Sequence, residues 1–477
     1  MSLKIPHIND ATVNDSCKAF LNGIESTIRY DNNILLIGNG FDIALGKKTS
    51  YKDFVVYLFI LYLFKFVLSL NKNFDKSLLI VAVRNNKRLK QDNDLIQILD
   101  IAKNRVTNVS LDKICCSSCS SFSFLDLLLR VVFQSNYNKI FKNIVYYQKE
   151  KNNLKIKQSL CFDYWLSNFS KKLSVTRDIP SVSDIVSDCL IEFYKDFLKA
   201  ADDSKLHGWL DLESLIQYMV LNESILNEQF IVENSLKSYI SSSLFKNGLC
   251  NDISCSKGIF YTLQFFTIEL CCFIKLQNSS SIDSHYYAKF DSETDLYDID
   301  FRLPLKFNSH TKFDFENSLC KIIDFNYSNT SENTFCYNYA QHKHFEFYHV
   351  NGRSNDFTAV FGYTNLEQKK VNIEAFNFEK RTQRLIKNVP SVDYEALTSK
   401  PFNLFIFGHS CSPADKDVFE PLLTSNNLNM VIVYCYSEQD KLSIYKNLCE
   451  ILGYKIMDHL TRQTEKLSKR LFWAIRK

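Results

Sequence analysis

A short apolar strand that ends in a glycine turn is the feature that most constrains the fold of this chain. Asn33–Ile37 (NILLI) is typical of a buried strand, and the turn Gly38–Asp42 (GNGFD) follows it at once. The chain has only 11 glycines and 7 prolines among 477 residues, so two glycines separated by a single residue are more informative than usual. This strand and turn predict the first β-strand and turn of a parallel α/β sheet.

Five further strands are predicted, all in the last third of the chain. They share short length, apolar character and many aromatic or β-branched residues. They are Lys321–Phe325, Phe345–Val350, Thr358–Phe361, Asn403–Phe407 and Met430–Tyr434. Helical patterns follow the last two, over Asp415–Glu420, where Pro421 is expected to end the helix, and over Gln439–Leu452. This alternation predicts an α/β fold, a Rossmann-like parallel sheet with helices on both faces.

The predicted strands divide the chain into a discontinuous domain and a large insertion. Residues 30–70 and 319–460 are assigned to a nucleotide-binding α/β domain. Residues 71–318 have few strand signals and show helical periodicity, for example over Ser183–Ala201, which predicts a mainly helical insertion. Residues 1–29 and 461–477 are assigned to terminal extensions.

The segment Phe54–Leu70 is apolar enough to raise the question of a membrane span. It contains one charge, Lys65, and is slightly shorter than the about 20 apolar residues that a span needs. Because it closely follows the glycine turn, a helix packed on the sheet is favoured over a span. We therefore expect no stable membrane insertion, and contact of this segment with a membrane stays open.

The charge balance and the cysteines limit which cellular compartment and which classes of partner are expected. The 57 basic and 53 acidic residues give a net charge of +4 without a basic block, so nucleic acid is not implied. The 15 cysteines are scattered and odd in number, and the first residues are mixed and polar, which predicts a cytoplasmic protein with free thiols. Cys116 and Cys119 form a lone CxxC without a second pair at suitable spacing, so no metal site is predicted.

The glycine turn offers a place for a phosphate. Backbone N–H groups at the start of a helix attract anions, and glycine lets a phosphate approach the backbone closely. Asp42 would accept a hydrogen bond from a sugar hydroxyl. A purely structural turn, with Asp42 as a helix cap, is the alternative interpretation. The candidate cofactor-binding residues here are Gly38, Asn39, Gly40, Phe41 and Asp42.

Two candidate catalytic residues follow the next strands. Asn326 would bind a ribose or position a water molecule, and the alternative is a cap of the next helix. His349 titrates near neutral pH and would act as a general base, whereas a structural hydrogen-bond donor is the alternative.

A fourth polar turn follows Asn403–Phe407. Gly408, His409 and Ser410 would contact a ribose or phosphate, and Asp415 would either join them or support the N-terminus of the following helix. Because the carboxyl ends of parallel strands meet at one edge of a sheet, we expect all four polar turns to line one crevice.

Several of these motifs resemble those of the bacteriophage abortive-infection AbiH family. Leu35–Phe54 (LLIGNGFDIALGKKTSYKDF) resembles its opening motif, and Phe405–Phe419 (FIFGHSCSPADKDVF) its closing motif. Ile322–Thr330 (IIDFNYSNT) and Tyr348–Gly352 (YHVNG) are similar to its central elements. Trp209–Glu213 is similar to an element of its helical middle. The resemblance implies a role in bacterial defence, in which an infected cell stops growing before phage progeny emerge.

A more distant likeness is to sirtuin-type NAD-binding domains, including defence proteins that hydrolyse NAD. It implies that the glycine turn holds the phosphates, that Asn326 binds the nicotinamide ribose or the attacking water, and that His349 is the base. Gly408 and Ser410 would contact the adenine-side ribose. Asn39 stands where such domains carry alanine, and the paired zinc-binding CxxC module of the deacylating members is absent, which disfavours deacylation.

The leading hypothesis is an enzyme that binds NAD or a related nucleotide and hydrolyses its nicotinamide–ribose bond. A non-catalytic nucleotide sensor that acts with a partner effector is the alternative. A nuclease with Asp42, Glu213 and Asp415 around a metal is disfavoured, because acids so far apart in sequence give no recognisable metal spacing. A second copy of the chain and a phage-derived trigger are further expected partners.

Overall fold

The structure, a computed structural model, covers the α/β domain most fully. It describes residues 32–70, 77, 81, 93–108, 190–191, 194, 213, 216, 255–277, 297–300, 320–339, 345–364, 376–461 and 471–476. The predicted extension 1–29, the pair Cys116 and Cys119, Trp209 and most of Ser183–Ala201 lie outside these residues.

One sheet contains all the described strands. They are β1 (Asn32–Ile37), β2 (Tyr297–Asp300), β3 (Cys320–Asp324), β4 (Glu346–His349), β5 (Phe402–Phe407), β6 (Leu428–Cys435) and β7 (Leu471–Arg476). Their order across the sheet is β2-β7-β6-β5-β1-β3-β4. Six strands run parallel, and β2 pairs antiparallel with β7 at the edge. The six parallel strands have the order of Rossmann-type domains, which confirms the predicted fold class.

The described helices are mostly short and several have recognisable caps. They are α1 (Asn39–Ala44), α2 (Tyr51–Leu70), α3 (Asn93–Asn108), α4 (Cys255–Lys275), α5 (Thr330–Tyr339), α6 (Lys380–Ile386), α7 (Tyr394–Leu397), α8 (Lys416–Leu423), α9 (Glu438–Leu452) and α10 (Tyr454–Thr461). A 3-10 helix, Pro413–Asp415, precedes α8. The Ser50 hydroxyl accepts from the Asp53 N–H at the start of α2, and Ser437 does the same for Asp440 in α9.

Helices cover both faces of the sheet. On one face, Leu36 and Ile406 pack in the core that α8, α9 and α10 complete. On the other face, Ile37 packs with Phe41 of α1 and Phe335 of α5. Ile34–Ile37 of the central strand β1 is buried by both layers, and this explains the run of apolar residues there.

The strand order reverses at β1. The strands β3 and β4 lie on one side of it, and β5, β6 and β7 lie on the other. Because β5, β1, β3 and β4 are neighbours and parallel, the four polar turns lie along one edge of the sheet, as predicted. In open α/β sheets, ligands bind outside the carboxyl ends of the strands where the order reverses.

Two predictions of local structure are wrong. Thr358–Phe361 is not a strand, because its backbone is bonded to the turn after β4: the N–H groups of Thr358 and Val360 donate to the carbonyls of Arg353 and Asn351. Pro421 does not end the helix after β5, because α8 continues to Leu423. Burial of the last residues of α8 in the core outweighs the hydrogen bond that proline cannot make.

The sheet also extends beyond the segments 30–70 and 319–460. The strand β7 lies in 461–477, and β2 lies in 71–318. Both add to the edge beyond β6. Within 71–318, the structure describes the helices α3 and α4 besides β2, and the greater part of this range lies outside the described residues.

The apolar segment Phe54–Leu70 forms most of α2 and packs on other helices. Phe54 and Tyr57 are fully buried, and their rings lie 5.1 Å from Phe266 and 4.7 Å from Phe273 of α4. Among the described helices, none has the length and hydropathy that crossing a membrane requires.

A buried amide pair links the two central strands and yields a stability prediction. Asn403 Nδ2 donates to Asn33 Oδ1 over 3.0 Å, at positions paired in the β1–β5 register. Replacing either residue with leucine removes one buried partner, and we expect each change to cost about 1–3 kcal/mol of unfolding free energy. The double variant should cost less than the sum, because both amides are removed together.

The test is urea unfolding of the wild type, Asn33→Leu, Asn403→Leu and the double variant. A double variant whose loss equals the sum of the single losses within about 0.5 kcal/mol would show that the two amides do not interact.

Candidate functional site

The turns after β1 and β5 touch backbone to backbone. The N–H of Gly38 donates to the carbonyl of Phe407 over 3.0 Å, and that of Gly40 donates to the carbonyl of Gly408 over 2.8 Å. A Cβ at Gly40 would lie 2.6 Å from the Cα of Gly408, and Gly408 itself has a φ of +66°. Glycine is therefore required at both positions, and the glycine motif serves the close approach of two strand ends.

This contact uses backbone donors that the sequence had assigned to a phosphate. The N–H of Phe41 also has an acceptor, the carbonyl of Gly38, at 2.9 Å. The ring of Phe41 stacks on Phe335 at 5.9 Å inside the core. Asn39 is the exposed residue of the turn, and its Oδ1 accepts from the Thr49 hydroxyl over 2.6 Å.

Asn326 joins the turn after β3 to the glycine turn. Its Nδ2 donates to the carbonyl of Gly38 over 3.0 Å, and its N–H donates to Asp324 Oδ1 over 2.8 Å. The residue is buried. The structure thus places this predicted residue directly beside the glycine turn.

Asp42 lies inside the protein. It is 1% exposed, and its carboxylate accepts from the Ser328 hydroxyl over 2.9 Å. Burial raises the pKa of Asp42, and the bond from Ser328 and the charge of Lys47 oppose this rise. The contact ties α1 to the turn after β3, so the carboxylate faces protein groups.

His349 is held between two carboxylates on the face of the sheet that α5 covers. Its Nε2 lies 3.1 Å from Glu332 Oε1 of α5, and its Nδ1 lies 3.6 Å from Asp324 Oδ2. Arg353 donates to the same oxygen of Glu332 over 2.9 Å. Burial lowers the pKa of His349, but the bond to Glu332 and the charge of Asp324 outweigh it, so the pKa is raised.

Asp324 connects the two candidate catalytic residues. One oxygen accepts from the Asn326 N–H, and the other accepts from the Ser331 hydroxyl and faces His349. Burial raises the pKa of this fully buried carboxyl to about 7, against the opposing charge of His349. Asp324 therefore links His349 to Asn326 through its two carboxylate oxygens.

A buried ion cluster lies behind the turn after β5. The Nζ of Lys380 lies 2.7 Å from Glu213 Oε2 and 2.5 Å from Asp415 Oδ1, and its side chain is fully buried. Burial alone would lower the pKa of Lys380, but the two carboxylates raise it. The pKa of Asp415 is lowered, because the charge of Lys380 outweighs its burial. The lysine is therefore charged and the aspartate ionised.

His409 fills the space between this cluster and the glycine turn. Its Nδ1 accepts from the Cys411 N–H over 2.8 Å, and its Nε2 lies 3.5 Å from Asp415 Oδ2. Its ring lies 4.2 Å from that of Phe325. A Cβ at Gly38 would lie 2.7 Å from the His409 ring, so the imidazole forms a wall of the turn.

Two tyrosines connect the cluster to the start of α2 and to the turn after β3. The hydroxyl of Tyr51 lies 3.4 Å from Glu213 Oε1 and 3.4 Å from the hydroxyl of Tyr327. Tyr327 donates to the carbonyl of Val360 over 2.8 Å. Burial, and then the charge of Glu213, raise the pKa of Tyr327, so its phenol stays neutral.

The fold brings some of the predicted site residues together and leaves others apart. The turns after β1, β3 and β5 converge, and His349 lies behind them on the α5 side. Ser410 is exposed, and its carbonyl accepts from Asn447 of α9 over 2.9 Å. No sequence pattern indicated Lys380. One of its two carboxylate partners, Glu213, does belong to the motif Trp209–Glu213.

The structure also bears on the nuclease hypothesis. Glu213 and Asp415 do approach each other despite their distance in sequence, but the ammonium of Lys380 stands between them. Among the described residues, no group of three side chains has the arrangement of a metal site.

The fold and the site define a Rossmann-type α/β protein with polar loops at the reversal of its strand order. Residues 34–436 match the family Bacteriophage abortive infection AbiH, and the chain belongs to this family. The match runs from β1 to the end of β6 and includes every predicted site residue. No curated protein matches the chain. The protein therefore has a role in phage abortive infection, as its motifs predicted.

The buried ion cluster yields a stability prediction. Lys380→Met should cost about 3–5 kcal/mol of unfolding free energy at pH 7, because it leaves two buried carboxylates without their cation. Lys416→Met is the matched control, since Lys416 pairs with Glu420 at the surface over 3.6 Å, and it should cost less than about 1 kcal/mol. Chemical denaturation measures both. Equal losses in the two variants would show that the buried contacts do not stabilise the fold.

The environment of His349 predicts a pH dependence of stability. Its pKa in the folded protein is raised above the usual 6.5, so its contribution is complete below that pH and is lost as pH rises through the folded pKa. Glu332→Gln removes the principal cause of the rise. We expect wild-type stability to exceed that of Glu332→Gln most below pH 6.5, and this difference should shrink at higher pH. A difference that grows with pH would contradict the assignment.

Proposed function

We propose that this protein acts in abortive infection by binding NAD or a related nucleotide and hydrolysing its nicotinamide–ribose bond. The observation that carries the proposal is the contact of the turns Gly38–Asp42 and Gly408–Ser410 at the reversal of the strand order. This is where open α/β sheets bind nucleotides.

The exposed side chains of the two turns would contact the ligand. Because their glycines have no side chains, a ligand could approach the backbone of the two turns closely. A Cβ at Gly40 would collide with Gly408. Asn39 and Ser410 are the exposed polar residues of the turns, and they would contact phosphate and ribose. Since the N–H groups of Gly38 and Gly40 already have acceptors, side chains would supply much of the hydrogen bonding to the ligand.

The hydrolysis would proceed on the β3 side of this contact. The bond between ribose C1′ and the nicotinamide nitrogen breaks, nicotinamide leaves with the bonding electrons, and a water oxygen bonds to C1′. Asn326 would position the ribose or the water, and the neighbouring pair of Asp324 and His349 would accept the proton that the water loses.

Product analysis with matched variants tests the proposal. The purified protein is incubated with NAD, with and without extract of phage-infected cells, and nicotinamide and ADP-ribose are quantified. We expect release by the wild type and at least a 100-fold lower rate for Asn326→Ala and His349→Ala, as for loss of positioned acid–base groups (about 10²–10⁴-fold). His459→Ala, an exposed histidine on α10, should behave as the wild type.

Circular dichroism of each variant separates loss of chemistry from loss of fold. Unchanged nicotinamide release in folded Asn326→Ala and His349→Ala would contradict the residue assignment. An absence of release under every condition would contradict hydrolysis itself.

A second candidate function is a nucleotide sensor that acts with a partner effector. The observation that favours it is the pairing of the candidate groups with each other, since Asn326 donates to Gly38 and His349 is held by Glu332. Mass spectrometry of small molecules released from the purified protein distinguishes the two functions. Intact nucleotide favours a sensor, whereas ADP-ribose favours hydrolysis.

A further inference from the structure

A guanidinium lies over an aromatic ring at the same edge of the sheet, beyond β5. The register that pairs Cys435 of β6 with Ile475 of β7 makes Tyr436 and Arg476 neighbours at the carboxyl ends of these strands. The guanidinium carbon of Arg476 lies 4.8 Å from the centre of the Tyr436 ring. Tyr436 is 66% exposed, so much of its surface is open to solvent.

The backbone of Tyr436 is fixed although its side chain is exposed. Its N–H donates to Asp440 Oδ2 over 3.0 Å, and the Asp440 N–H donates to the Ser437 hydroxyl over 3.1 Å. These bonds hold the strand end against the first turn of α9. A ring carried on a fixed backbone loses less conformational entropy on ligand binding than one carried on a mobile loop.

The position of this pair fits the length of a nucleotide. The distance from the gap between β1 and β5 to the gap between β6 and β7 is two strand spacings, or roughly 10 Å. Asn326, at the reacting end, lies on the opposite side of β1, after β3. A nucleotide with its reacting ribose near Asn326 would cross the glycine turns with its phosphates and extend towards β6.

We propose that Tyr436 and Arg476 form the subsite for the purine base of the bound nucleotide. A planar base stacks on an aromatic ring and on the flat face of a guanidinium, and a cation beside the ring strengthens the contact. The ligand class is therefore a purine nucleotide, and a sugar phosphate without a base leaves this subsite empty. The inference rests on the nucleotide binding proposed above and does not depend on hydrolysis.

Calorimetric titration with AMP and with ribose 5-phosphate tests the subsite in the full chain. The wild type should bind AMP more tightly than ribose 5-phosphate. Tyr436→Ala should weaken AMP binding by about tenfold or more, within the range that loss of one base–aromatic stack produces, and should leave ribose 5-phosphate binding unchanged. Tyr436→Phe keeps the ring and should bind AMP as the wild type does.

A surface tyrosine elsewhere provides the control. Tyr454 is 75% exposed at the start of α10, and Tyr454→Ala should not change either affinity. Equal affinities of the wild type for AMP and ribose 5-phosphate would overturn the proposal. So would AMP binding that Tyr436→Ala leaves unchanged.

Kinetics separate this inference from the proposed reaction. If the protein hydrolyses NAD, Tyr436→Ala should raise KM with little change in kcat, because the ring does not touch the reacting bond. An unchanged KM would overturn the subsite and leave hydrolysis standing. AMP binding that depends on Tyr436, in a protein that never releases nicotinamide, would support the subsite and contradict hydrolysis.

Discussion

The direct contact of two main chains, at Gly40 and Gly408, is the constraint on which the rest of the site depends. Two neighbouring strands end here so close together that no side chain fits between the turns that follow. The surrounding groups are arranged about this contact: Asn326 donates to the carbonyl of Gly38, and the ring of His409 packs against the same glycine. The shape of the edge is therefore set by backbone, and side chains add its chemistry.

Buried charge, rather than apolar packing alone, connects this edge to the segment between α3 and α4. Glu213 is the described residue of that segment that reaches Lys380, and Lys380 in turn holds Asp415 behind the turn after β5. Removing such ions from water costs several kcal/mol each, and their mutual attraction roughly offsets that cost. The cluster fixes the relative positions of Glu213, Lys380 and Asp415, because displacement of any one of them would leave an uncompensated charge in the interior.

The central strands and the glycine turn were predictable because their signals are local. An apolar run that ends in glycine, as at Asn33–Gly38, has few other interpretations. The strand β2 was missed because YDID lacks apolar character, and β7 because pairing with β6 is not visible in LFWAIR alone. Thr358–Phe361 has the composition of a strand but covers a turn. Burial also depends on residues that are distant in the sequence. From its position after the glycines, Asp42 was predicted to bind a sugar hydroxyl, whereas in the fold its carboxylate accepts a hydrogen bond from Ser328.

The central position of β1 has a consequence for biosynthesis. Both neighbours of this first strand lie far downstream: Asn326, which follows β3, is separated by 288 residues from Gly38, which it contacts, and β5 is synthesised later still. A nascent chain therefore contains NILLI long before either neighbouring strand exists to cover it. A product that stops before Phe402 lacks β5, and it therefore lacks the contact between the turns Gly38–Asp42 and Gly408–Ser410.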